Sequence, residues 1–238
     1  MANNKEVDKK LLKFVNEIKD KELRNKVRDV LEDPSIIIAG NKITGLPLRT
    51  SPASKKHHHS YPKGLLQHIA TVSALGTTLS DLVEQTYGTP VNRDVVLAST
   101  LLHDIMKPLT YTQEDAGYGT SPLGERLDHL SLAVAELVRR GFPLEIIHAV
   151  AAHHGKSGPS SPKTIEALIC SLSDELDASL NGEVLDAARY LIHDCVGADV
   201  KGLSAEEAFR IVRAKQEKGC SAVTELFRKI MSDRSEKA

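Results

Sequence analysis

The stretch VVLASTLLHDI, residues 95–105, constrains this chain more than any other. Wound as a helix, it places apolar side chains on every face, so protein must surround it on all sides. Yet it closes on His103 and Asp104. An unpaired carboxylate in such surroundings costs several kcal/mol, so the fold must bring Asp104 something that neutralises it. A metal ion is the most economical candidate, because it takes a carboxylate and an imidazole together and offsets the desolvation of both.

Helical periodicity dominates the rest of the chain. Apolar residues from Val7 to Leu31 predict two short amphipathic helices broken near Asp20, with Asp33-Pro34 ending the second and a short extended piece at Ile36–Ala39. Residues 40–63 carry Gly, Pro, Ser and Thr without a period and are expected to form a long loop, a length that is unusual unless the loop works. A strong helix is expected over Gly64–Tyr87, and another from an Asn92 cap to about Lys107, where Pro108 stops it. A polar loop over 109–122 follows, then a helix from Gly124 to Arg140 capped by Gly141. Pro143 opens a short helix through His153, and a further helix spans Lys163–Leu180 after a Gly/Ser/Pro loop. Two or three more helices finish the chain, one begun by the capping box Ser204-x-x-Glu207. Aromatic residues make up 4% of the chain and Trp is absent, which suits packed helices better than stacked sheets. The expected architecture is one all-α domain: a small N-terminal helical extension and loop (1–56), a core (57–180), and C-terminal helices packed on it (181–238).

Lys plus Arg number 31 against 32 Asp plus Glu, a net charge of −1 that gives no overall attraction to nucleic acid. The opening MANNKEVDKK lacks the apolar core of a signal peptide, and no apolar run approaches a bilayer span, so a cytoplasmic protein without membrane contact is expected. Cys170, Cys195 and Cys220 form no CxxC pair and read as reduced thiols.

Four further words share the character of His103-Asp104: LLQHIA (His68), RLDHLS (His129), AAHHG (His153, His154) and SLSDELD (Asp174). His68 lies on the face of Leu65, Leu75 and Leu79, and Asp174 on a strip of small residues, Ala167, Cys170 and Ser171. Imidazoles with carboxylates suit Fe, Mn, Ni, Zn or Co better than Ca or Mg. With no pair of cysteines near these words, a structural zinc site is not expected. Other residues have plainer readings. Asp128 reads as a helix N-cap, Asp177 as solvated or a hydrogen-bond partner, His148 as structural, and His193-Asp194 as a buried pair or helix-end feature. Lys107 serves either a helix C-terminal dipole or a bound phosphate.

The order H…HD…H…HH…D, with Lys107 completing an HDxxK word, resembles the HD superfamily of metal-dependent phosphohydrolases over about residues 57–180. The resemblance implies an HD-domain helical bundle in which His68, His103, Asp104 and Asp174 bind one divalent metal. It further implies that His129 and His153 are the added ligands of a dinuclear branch, with Asp104 as the bridge and His154 as the alternative to His153. HHHSYPKGLLQH, residues 57–68, is similar to the HHxYxGGLxxH opening of HD-domain 3′-to-5′ exoribonucleases, departing where Lys63 replaces a glycine. A compact archaeal group that includes the dihydroneopterin 2′,3′-cyclic phosphate phosphodiesterases has a similar size and the same ligand order. The implied function is a phosphodiesterase that opens a small nucleotide-like or cyclic phosphate ester with metal-activated water. Asp104 and Lys107 are then catalytic, and Lys63, His58 and His59 approach the substrate. The alternatives are an exoribonuclease-like nuclease, with nucleic acid the less favoured partner, and an HD-fold di-iron oxygenase. Oligomeric state is left open.

Overall fold

The computed structural model describes residues 7–115 and 117–235, so the first six residues of the polar N-terminal stretch lie outside it. Helices α1 (Lys9–Glu17) and α2 (Lys21–Glu32) form the expected amphipathic pair. Each starts on an aspartate cap: Asp8 accepts from the Lys10 N–H and Asp20 from the Leu23 N–H. The chain then makes a hairpin of β1 (Ser35–Ile38) and β2 (Asn41–Thr44), with Ile36 opposite Ile43. Ala39 and Gly40 both have positive φ, 49° and 79°, which matches the twist of a two-residue hairpin turn. The expected loop therefore begins later, after Thr44.

Helix α3 (Gly64–Tyr87) is as predicted. Helix α4 (Arg93–Leu102) starts on the Asn92 cap but stops five residues before Lys107. His103–Met106 is a turn, and Pro108 belongs to the first turn of a short helix α5 (Lys107–Thr110). Proline is well tolerated there because the first N–H groups of a helix have no partner to lose. Residues 111–120, expected as loop, form a second hairpin of β3 (Tyr111–Glu114) and β4 (Gly117–Thr120). Helix α6 (His129–Arg139) begins later than the apolar pattern suggests, because Asp128 rather than an earlier residue supplies the cap. Helix α7 (Leu144–Ala151) follows Gly141, at φ 68°, and Pro143.

The largest departure is α8 (Ile165–Val196), a continuous helix of 32 residues where one ending at Leu180 was expected. Asn181-Gly182 looks like a stop signal. Buried positions nevertheless continue at Asn181, Leu185, Ala188 and Ile192, a helical spacing that packing against α9 (Ala205–Ser235) rewards. Helix α9 opens with the Ser204–Glu207 capping box and kinks at Gly219. The antiparallel packing brings Cys195 and Cys220 to a Cα separation of 5.1 Å, and they are joined as a disulfide. The expectation of reduced thiols therefore fails for this pair, because spacing rules cannot see two helices folding back on each other. Cys170 is a free, buried thiol, which burial pushes up to about 12.

The main apolar core joins α1–α4, α6 and α7, while a second cluster holds Tyr61, the later half of α8, and α9. On α6, Glu136 is buried yet charged. Burial alone would raise its carboxyl, but hydrogen bonds from Arg139 and Arg140, at 2.6–2.8 Å, outweigh that and hold it below the ordinary carboxylate value. Glu136→Ala is expected to cost about 2 kcal/mol in urea unfolding at pH 7. A carboxyl depressed in the folded state stabilises above its unfolded pKa and loses that contribution as pH falls through the folded value. The difference between variant and wild type is thus expected to shrink in acid.

Candidate metal centre

Helix α4 delivers the centre. Every residue from Val95 to Leu102 is buried, as the all-round apolar pattern requires, and the turn after it points His103 and Asp104 into the space bounded by α3, α6, α7 and α8. His68 comes from the first turns of α3, His129 opens α6, His153 and His154 follow α7, and Asp174 lies on α8.

Hydrogen bonds set the tautomers of the three fully buried imidazoles. Nδ1 of His103 faces the Thr100 carbonyl at 2.8 Å, Nδ1 of His153 faces the Val150 carbonyl at 2.7 Å, and Nδ1 of His68 faces Asp177 Oδ2 at 2.7 Å. These oxygens only accept, so in the neutral rings each Nδ1 carries the hydrogen and each Nε2 keeps a lone pair. Those lone pairs converge: His68 Nε2 lies 3.1 Å from His103 Nε2. Two lone pairs facing each other in a buried site repel unless a cation lies between them.

The donor spacing fits one. His68 Nε2 is 3.2 Å from Asp104 Oδ2 and 3.0 Å from Asp174 Oδ1, and His103 Nε2 is 3.4 Å and 3.6 Å from the same two oxygens. Donors about 2.1 Å from one ion lie about 3.0 Å apart at a right angle and about 3.4 Å apart at a tetrahedral one. A second set gathers on the other carboxylate oxygen. His129 Nε2 is 3.2 Å and His153 Nε2 3.6 Å from Asp104 Oδ1, and a nitrogen of the more exposed His154 completes the group. Asp104 Oδ1, His129 Nε2 and His153 Nε2 are buried without a hydrogen-bond partner among the described residues. Orphans of that kind are rare in folded proteins and mark an unmet ligand demand. The residues present therefore fit a divalent cation, and Asp104 faces both donor sets.

The surrounding residues separate into those that face the donors and those that stand behind them. Lys107 is buried with Nζ against Asp104 Oδ2 at 2.5 Å. It opens α5 rather than closing α4, so the helix-dipole reading falls away. His58 packs its ring 4.9 Å from that of His68, and burial, with His68 beside it, lowers it to about 3, leaving it neutral. His59 is not at a cavity surface. Its Nε2 contacts Asp177 Oδ2 at 2.8 Å, its Nδ1 contacts the Tyr61 hydroxyl at 2.7 Å, and its backbone N–H donates to Asn181. The expected substrate contact from His59 is thus replaced by a place behind His68. Lys63 points its side chain to solvent and caps α3 with φ 67°, the left-handed conformation that explains why the related motif carries glycine there. Gly64 is needed next to it, since a Cβ there would lie 2.1 Å from the His59 carbonyl oxygen.

Asp177 is the hydrogen-bond partner its plainer reading allowed, buried and shared by His68 and His59. Asp128 is the α6 N-cap, and His148 accepts from the Lys163 N–H. His193 and Asp194 are exposed on the last turn of α8, a helix-end feature rather than a buried pair. Tyr61 and Asn181 were missed as supports. Polar residues at 174, 177 and 181 on one helix face were the available signal.

A cavity of about 700 Å³ opens on the centre, lined by His153, His154 and Asp174 and by Lys156, Leu168 and Leu172. Lys55 and Lys56, from the long loop before α3, line a different cleft with Arg189 and Lys201.

The HD domain family model matches residues 65–179. The chain is 39% identical over 203 residues to the dihydroneopterin 2′,3′-cyclic phosphate phosphodiesterase of Methanocaldococcus jannaschii, covering 85% of this chain and 79% of that protein. It is 34% identical over 146 residues to the 3′-5′ exoribonuclease YhaM of Oceanobacillus iheyensis, covering 56% of this chain and 44% of that one. With YhaM of Listeria welshimeri it shares 33% identity over 149 residues, covering 55% of this chain and 43% of the relative. The chain therefore spans less than half the length of these exoribonucleases. No solved structure matches it. No helix among the described residues is long and apolar enough to cross a membrane.

Proposed function

This chain belongs to the HD domain family, and on that premise we propose that it opens a small cyclic or nucleotide-like phosphate diester at the centre built around Asp104. It is an HD phosphohydrolase, acting on phosphate ester bonds. We assign His68, His103, Asp104 and Asp174 to one divalent ion and His129, His153 and His154 to a second that shares Asp104. Iron, manganese, nickel, zinc and cobalt all suit such donors. Bound there, such ions polarise a phosphoryl oxygen and supply hydroxide at neutral pH. The chain's own residues do the rest. The Nδ1–H bonds of His68, His103 and His153 hold three Nε2 lone pairs on target. Lys107 keeps Asp104 ionised in a dry site and is the cation placed to meet phosphate charge. His58, neutral and packed on His68, borders the same space.

The observation that carries this reading is the single buried Asp104 whose two oxygens each face a separate set of histidines. Support for a small substrate comes from the cavity beside it, whose 700 Å³ lies in the range of small-molecule sites. Among the described residues its lining holds no Phe, Tyr or Trp on which successive bases of an RNA strand would stack.

Anaerobically purified protein is expected to retain one to two transition ions per chain by elemental analysis and to open 2′,3′-cyclic nucleotides or bis(p-nitrophenyl) phosphate. Shortening of single-stranded RNA from its 3′ end with cyclic esters left intact would move the assignment to the nuclease class. Oxygen consumption without ester hydrolysis would end it.

A further inference from the structure

Two leucines on α8 face water without a structural reason. Leu168 and Leu172 stand one turn apart, 49% and 45% exposed, and both border the cavity that contains His153, His154 and Asp174. The stripe they belong to continues at Ile165, Leu176 and Leu180, but only these two reach the cavity. Residues at this spacing lie about 5–6 Å apart at Cβ, so together they present an apolar strip about as long as a fused ring system. Lys156 also lines the cavity, in the turn Gly155–Ser157 directly after the two adjacent histidines. Its ammonium makes no ion pair among the described residues. Gly155, at φ 56°, holds that turn against α8, where a Cβ would come within 3.0 Å of Ser171 Oγ. An apolar shelf and an unpaired cation thus share one mouth, next to the donors that would hold the reacting phosphate.

We propose that Leu168 and Leu172 shelve the flat ring of the substrate while Lys156 grips its phosphate, so that the enzyme selects phosphate esters of compact molecules that carry a planar ring over sugar phosphates that carry none. This rests on the phosphodiesterase reading above and names the substrate class within it. The ring loses its hydration against leucine on one face, and the ammonium offsets anionic charge that the buried donors do not reach.

The test compares metal-loaded wild type with Leu168→Asn, Leu172→Asn and Lys156→Ala on two substrates, guanosine 2′,3′-cyclic phosphate and ribose 2′,3′-cyclic phosphate. Wild type is expected to favour the guanosine ester by about tenfold or more in kcat/KM, and each leucine variant to lose most of that preference through KM, with metal content unchanged. Lys156→Ala is expected to raise KM for both esters to a similar degree, and Lys156→Arg to restore it. Equal preference in wild type and the leucine variants overturns the shelf. So does a Leu172→Asn variant that alters sedimentation while KM stays fixed, which would give the stripe to a second copy of the chain. Titration calorimetry with guanosine 3′-monophosphate reads the same contacts without turnover. Wild type binding more tightly than Leu172→Asn there supports the shelf even when neither cyclic ester is hydrolysed, a result that would count against the phosphodiesterase reading alone. Equal binding by the two proteins overturns the shelf whatever the hydrolysis shows.

Discussion

Asp104→Asn is expected to emerge from purification nearly free of transition metal and without measurable phosphodiester hydrolysis. Oδ2 lies 3.2 Å and 3.4 Å from the Nε2 atoms of His68 and His103, and Oδ1 lies 3.2 Å and 3.6 Å from those of His129 and His153. Among the described residues Asp104 is the one member common to both donor groups, so one substitution is expected to weaken two sites at once. The loss in metal affinity is expected to exceed the roughly 10–100-fold that follows removal of a supporting partner. Asparagine is the informative choice because alanine would also leave Lys107 buried with no oxygen to face. Circular dichroism is expected to show an unchanged helical signal, and elemental analysis with a cyclic phosphate assay reads the rest. Full turnover by a metal-loaded Asp104→Asn protein would refute the role given to this carboxylate.

Asp177 carries the second large effect without facing the cavity. It accepts from His68 Nδ1 at 2.7 Å and contacts His59 Nε2 at 2.8 Å, so it fixes the tautomer of one donor and anchors the loop that precedes it. Asp177→Ala is expected to reduce metal affinity about 10–100-fold. It is also expected to lower stability by about 2 kcal/mol, because two buried imidazole nitrogens lose their partner. Competition with a chromophoric chelator measures the first and urea unfolding of the chelated protein the second. His59→Gln, which leaves the His68–Asp177 contact in place, is expected to cost stability with a smaller loss of metal. Unaltered metal affinity in Asp177→Ala would show that His68 holds its orientation by packing alone.

The donors themselves were legible because each defied its surroundings. A carboxylate after nine buried residues, and imidazoles on apolar helix faces, stand out in a sequence whose polar groups otherwise point to water. Asp177, Tyr61 and Asn181 were harder to read, since their role depends on the His57–Tyr61 loop folding under α8, more than a hundred residues away in the chain. The helices were legible from their period and the first strand from its isoleucine run, but its partner β2 and the second hairpin were hidden. Gly117–Thr120 carries no apolar alternation, and the Ala39-Gly40 turn lacks the Asn-Gly or Asp-Gly dipeptide that usually announces one. Pro108 misled through a sound rule applied at the wrong end of a helix. The Cys195–Cys220 bridge could not be read at all, because it depends on the continuity of α8 and the return of α9.

That continuity has a mechanical sequel. One rigid rod carries Asp174 of the donor group in its first half and, farther along, the seat on which the last helix rests. The donor group and the packing of the C-terminal helix are therefore tied to one mechanical element, and a displacement of that rod would reach both.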